Sequence, residues 1–241
     1  MNMEKLWTDL MNNLGFVAVV LGIMAALFII ARVAEHFLPG CRQVAGTRRL
    51  TIIAVCGAIA AVLHIFDFPL PFLAPGFYKL DFSELPVMLC GFYLGPSAGI
   101  LCQVLKILLK LLYKGTTTAF VGDFANFAVG CSMVLPALIL YHIKKSRGSA
   151  MGGLALGTGI MTVFGSAFNA LYLLPTFAKM FMPMESILAA GQAIFPAVDS
   201  VWSLVLFCVA PLNLIKGLSV SILTLLLYKR IARPLFGIKR H

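Results

Sequence analysis

Charge is scarce in this sequence, and negative charge is scarcest. Nine Asp and Glu stand against nineteen Lys and Arg in 241 residues, and charged residues make up only 12% of the chain; ordinary soluble domains carry about 25%. Catalytic signatures are missing too. There is no GxxxxGK[ST] run, which excludes ATP hydrolysis through a phosphate loop. No HExxH, no clustered carboxylates and no Ser/His/Asp order stand out. The six cysteines (Cys41, Cys56, Cys90, Cys102, Cys131, Cys208) include no CxxC, and five of them fall in apolar runs. They read as small buried hydrophobes, with neither disulfide nor metal expected. His36, His142 and His241 sit near basic ends, and His64, late in an apolar run, reads as packed or interfacial rather than as a ligand. These absences point away from an enzyme.

What is present is apolar sequence. Hydrophobic residues make up 61% of the chain and mean hydropathy is +0.97. The chain therefore reads as an all-α membrane protein embedded in the lipid bilayer. Apolar runs place helices at about residues 14–34, 50–66, 84–94, 100–113, 124–143, 151–174 and 203–228. The first run lacks a small-residue cleavage site and reads as a retained helix rather than a signal peptide. A long connector, 175–201, precedes the last.

The net charge of +10 is gathered in places. Arg42, Arg48 and Arg49, then Lys144, Lys145 and Arg147, then Lys229, Arg230, Arg233, Lys239 and Arg240 each flank an apolar run. That is the pattern of cytoplasmic loops, not of nucleic-acid binding. With these clusters inside, seven crossings put the N-terminus outside and the C-terminus in the cytoplasm. Of the acidic residues, only Glu35 then falls inside.

Several features suggest a binding site. Lys216 lies deep in the last run, where a lysine costs about 2.5–3.5 kcal/mol on insertion scales. Asn213, three residues earlier, shares its helix face. Asn126 and Asn169 lie in two other runs. Each asparagine alone is compatible with gluing neighbouring helices; together with Lys216 they suggest one cavity. The loop 67–83, DFPLPFLAPGFYKLDFS, is too rich in proline for a helix, and its rings are too apolar to stand in water. It reads as a cover over that cavity, contributing Phe72, Phe77, Tyr78 and Phe82. Lys106, Lys110 and Lys114 are four apart on one helix face. Asp81 and Glu84 flank a helix start, where Ser83 would cap and carboxylates favour the dipole. Carboxamides donate and accept, and lysine only donates. With no arginine cluster for phosphate, the expected ligand is small, flat-faced and uncharged, with polar edges. Ala54/Ala58 and Gly57/Ala61 form small-residue pairs suited to close helix contact, either within the bundle or with a partner.

The runs KLDFSELP (79–86), FYLGPSAGI (92–100), FANF (124–127), FNALYLLP (168–175) and PLNLIKG (211–217) occur in order. Across about residues 47–233 the chain resembles the riboflavin-specific S-components of energy-coupling factor (ECF) transporters. The resemblance implies a six-helix substrate-binding bundle over 47–241; residues 1–46, an apolar run and a basic connector, depart from it by adding a transmembrane helix that the family core does not need. It implies capture of riboflavin as cargo, with no cofactor and no catalysis. The implied partners are a membrane coupling subunit and two cytosolic ATPases. Carried over residue by residue, it makes Asn169, Asn213 and Lys216 flavin contacts, with Asn126 beside them. Lys79 stands where the family commonly has a small hydroxyl residue that touches ligand, and Phe77 would contribute through its backbone. It also makes Ala54 and Ala58 the docking face for the coupling subunit. The residues taken alone leave an S-component for another vitamin, a stand-alone carrier and a membrane enzyme as rivals.

Overall fold

The structure, a computed structural model, describes residues 14–38, 41, 46–116 and 120–236. The expectations placed on residues 1–13, on Arg42, and on Lys239 and Arg240 fall outside the described residues. Helix α1 (Leu14–Phe37) and helix α2 (Gly46–Ile65) come first. A short antiparallel pair follows, β1 (Phe68–Pro69) with β2 (Lys79–Leu80), in register Phe68 to Leu80 and Pro69 to Lys79. Then come α3 (Glu84–Leu94), α4 (Pro96–Lys114), α5 (Val121–Lys144), α6 (Arg147–Met180) and the short α7 (Met184–Gln192). The last helix, α8, joins Val201–Leu204, a π-helical turn Val205–Val209 and Ala210–Phe236.

Among the described residues, α2, α4, α5, α6 and α8 are long and apolar enough to cross a membrane. At 11 residues, α3 is not. Its rise is about 16 Å, against about 30 Å of bilayer hydrocarbon. The β1–β2 loop leads into its first turn and contributes residues to the cavity described below.

Local chemistry sets the helix ends. Pro96 occupies the first turn of α4, where its missing N–H costs nothing, so α4 starts there rather than at residue 100. Ser146 caps α6 by accepting from the Ser149 amide at 3.0 Å. Ser200 opens α8 with a capping box shared with Ser203. The sixth helix runs past the expected stop at residue 174. A π-helical turn, Asn169–Leu173, absorbs the change of register just before Pro175. The 175–201 connector is partly helical, holding the end of α6 and all of α7.

The largest core cluster joins α2 through α6 and α8 around Phe92, Met133, Leu138 and Met161. Helices α5 and α6 approach closely at Gly157, where an added Cβ would come within 2.4 Å of the Met133 carbonyl. A second cluster packs the β1–β2 loop and α7 against both π-helical turns, around Leu174, Ile187 and Val205. A third seats α1 on α4 and α5 through Ala31, Ile100 and Phe127. The small pairs of α2 divide between two roles. Gly57 and Ala61 face inward, with Leu105 of α4 over Gly57, while Ala54 and Ala58 are exposed.

Candidate functional site

A cavity of about 290 Å³ opens at the end of the bundle that carries the β1–β2 loop. That is close to the lower bound for small-molecule pockets, about 300 Å³. Part of its lining is apolar, from Phe77, Leu173, Leu174, Phe177, Met182 and Ile187. The rest is polar, from His64, Asp67, Tyr78, Asp81, Asp123, Asn126 and the lysines Lys79, Lys110 and Lys114.

The polar lining rests on a buried ion network. Lys216 of α8 lies 2.9 Å from both Asp81 Oδ2 and Glu84 Oε2. Lys106 of α4 donates to Glu84 Oε1 at 3.0 Å, to Ser83 Oγ at 3.0 Å and to Asn126 Oδ1 at 2.8 Å. Two cations thus face two carboxylates in a site where all four are buried. Burying charges is tolerated only with such pairing and hydrogen bonding. The capping role expected of Ser83 is overturned, since its side chain makes no cap hydrogen bond and belongs to this network instead. Asp81 and Glu84 are not dipole partners alone; they hold the two lysines.

The lysine face of α4 continues outward. Lys110 pairs with Asp123, and Lys114 lies 3.2 Å from Asp67, which also holds Lys79 at 3.3 Å. The four-residue spacing puts three lysines on one face, each meeting a carboxylate from a different segment; Lys110 and Lys114 line the cavity, and Lys106 is buried behind it.

The sequence-selected residues fall into two layers. Phe77, Lys79 and Asn126 line the cavity directly. Asn169, Asn213 and Lys216 stand behind it. Asn169 Oδ1 accepts from the Tyr78 hydroxyl at 3.1 Å, and its Nδ2 donates to the Gly165 carbonyl at 2.7 Å. Asn213 packs on the same glycine: a Cβ at Gly165 would come within 2.6 Å of Asn213 Nδ2, an atom with no partner among the described residues. Gly165 thus lets the two carboxamides converge. Lys216 reaches the cavity wall through Asp81. Of the four loop rings expected over the cavity, only Phe77 and Tyr78 line it; Phe72 is 71% exposed and Phe82 packs into the core. His64 is not merely packed, because it lines the cavity.

A family model described as "ECF transporter, substrate-specific component" matches residues 48–228. The chain is similar to riboflavin transporter RibU of Staphylococcus aureus (strain TCH60), with 36% identity over 185 residues, 77% of this chain and 90% of the relative. It is 29% identical over 182 residues to riboflavin transporter FmnP of Bacillus subtilis (strain 168), covering 75% of this chain and 90% of the relative. A solved S component of a bacterial ECF transporter superposes with a TM-score of 0.61 at 36% identity, over 80% of this chain and 99% of that one.

Proposed function

Since the chain belongs to the substrate-specific components of ECF transporters, a family of transport components rather than enzymes, we propose that it binds riboflavin for import. The observation that carries this reading is the mixed lining of the cavity. Its aliphatic and aromatic part suits the faces of a tricyclic ring, and its polar part suits the edge and chain of an uncharged, hydrogen-bonding ligand. Phe77, Lys79 and Asn126 are proposed as direct contacts. Asn169, Asn213 and Lys216 are proposed to reach the flavin once the loop yields Tyr78 and a carbonyl-bearing edge enters between them. Asn213 supports this, as its buried Nδ2 is a donor left over.

The cavity end faces outward in the proposed topology, with the basic loop between α5 and α6 in the cytoplasm. Residues 47–241 form the substrate-binding unit, and 1–46 add a transmembrane helix. A membrane coupling subunit docks on the exposed Ala54 and Ala58, where small side chains let a helix come close. Two cytosolic ATPases supply the energy that this chain has no phosphate loop to extract. Loop closure and reorientation of the bundle against the coupling subunit then carry the vitamin inward.

Titration of the purified full-length chain with riboflavin, followed by flavin fluorescence, tests the reading. Saturable quenching at one site per chain is the expected result. Riboflavin fluorescence unaffected by the folded protein would overturn it.

A further inference from the structure

We propose that His64 and Asp123, with Asn126 one turn further along α5, form a subsite that reads the hydroxylated chain of the ligand. This inference rests on the flavin reading above and adds the part of the ligand that these residues recognise.

His64 comes from the end of α2 and Asp123 from the first turn of α5. Both belong to the polar lining of the cavity. Both are deeply buried, at 9% and 4% exposure, and each holds a buried polar atom, His64 Nδ1 and Asp123 Oδ2, with no hydrogen-bond partner among the described residues. A group left in this condition is costly unless something in the site satisfies it. Asp123 is only half used: Oδ1 takes the Lys110 ammonium and Oδ2 remains. His64 Nδ1 stands 3.6 Å from Asp81 Oδ2, too far for a hydrogen bond.

The chemistry of these atoms selects the partner. An ionised carboxylate oxygen only accepts, so Asp123 Oδ2 calls for a donor and disfavours a phosphate. An imidazole nitrogen donates or accepts according to its tautomer. A hydroxyl does both and is uncharged. A run of hydroxyls along a flexible chain would satisfy Asp123 Oδ2 and the His64–Asp81 gap together. The aromatic ring system would pack on the apolar lining of Phe77, Leu174 and Phe177.

The experiment compares riboflavin with lumiflavin, which keeps the ring system and replaces the hydroxylated chain by a methyl group. Dissociation constants are measured on the full chain in detergent for wild type, His64→Phe, His64→Gln and Asp123→Asn. His64→Phe and Asp123→Asn are each expected to weaken riboflavin about tenfold, the scale of one hydrogen bond to a charged group, and to leave lumiflavin unchanged. His64→Gln, which retains a donor and an acceptor, should recover most of the affinity. Unchanged lumiflavin binding also shows that the variants are folded. Equal weakening of both ligands, no weakening of either, or a Gln variant as weak as the Phe variant would overturn the subsite. A wild-type chain that binds lumiflavin and riboflavin equally would do the same. A wild-type chain that binds neither overturns the flavin reading itself, and the subsite with it.

Discussion

Lys216 shows what a single residue costs and controls. Its ammonium is shared by Asp81 and Glu84, and Lys106 completes the balance. Lys216→Ala would leave two buried carboxylates facing one cation, and breaking such a pair costs about 3–5 kcal/mol. The expected result is a markedly lower unfolding midpoint in detergent. Adding Glu84→Gln restores neutrality, so the double variant should be more stable than Lys216→Ala alone; a purely additive loss would show that the network is not coupled. Loss of binding in Lys216→Ala is therefore not evidence of ligand contact unless stability is measured beside it. Gly165 gives a cleaner probe. An alanine there would press on Asn213 Nδ2, and overpacking of this kind costs about 1–3 kcal/mol. Gly165→Ala should displace the carboxamide and weaken riboflavin binding, while Gly159→Ala, on the same helix with nothing within 4 Å, should not. The sequence marked Lys216 as anomalous but not its partners. Asp81 is 135 residues away, and Asp81 with Glu84 also fits an ordinary helix start.

At the scale of elements, two attachments matter. The β1–β2 loop is tied to α6 by the Tyr78–Asn169 hydrogen bond, and removing it costs about 0.5–1.5 kcal/mol. Tyr78→Phe should speed amide hydrogen exchange in residues 70–78 without changing exchange in the core of α5. Unaltered loop exchange would show that packing of Leu70, Leu73 and Ala74 holds the loop by itself. Helix α1 is attached by Glu35. Its Oε1 accepts from the Ser97 amide at 2.8 Å and its Oε2 from the Ser97 hydroxyl at 2.7 Å, at the first turn of α4, with Arg49 of α2 alongside at 3.6 Å. A carboxylate at a helix N-terminus is favoured by the unpaired amides and the dipole. Glu35→Ala should cost about 1 kcal/mol and loosen α1 and the start of α4 together, read as faster exchange in both. Existence and type of these helices were legible from apolar runs; the one cap expected, Ser83, was not formed. The attachments were not, because a lone acidic residue near basic ones gives no hint of which helix end it meets.

For the whole molecule, the exposed strip at Ala54 and Ala58 is the face proposed for docking a membrane coupling subunit. Ala54→Leu should leave riboflavin binding by the isolated chain intact and reduce vitamin uptake in cells that express the complete transporter. Uptake at the wild-type level would remove this face from consideration. The sequence by itself determined that the chain is a helical membrane bundle, because long apolar runs in lipid must satisfy their backbone hydrogen bonds internally, which a helix does within each run. It also determined that polar residues placed in those runs need company. Only the tertiary structure decided which company: that Lys216 meets Asp81 and Glu84, that Gly57 faces inward while Ala54 faces out, and that His64 borders a cavity. The reason is physical. Helical periodicity fixes which residues share a face, but what each face meets is decided by contacts between segments far apart in the chain, as Asp81 and Lys216 are.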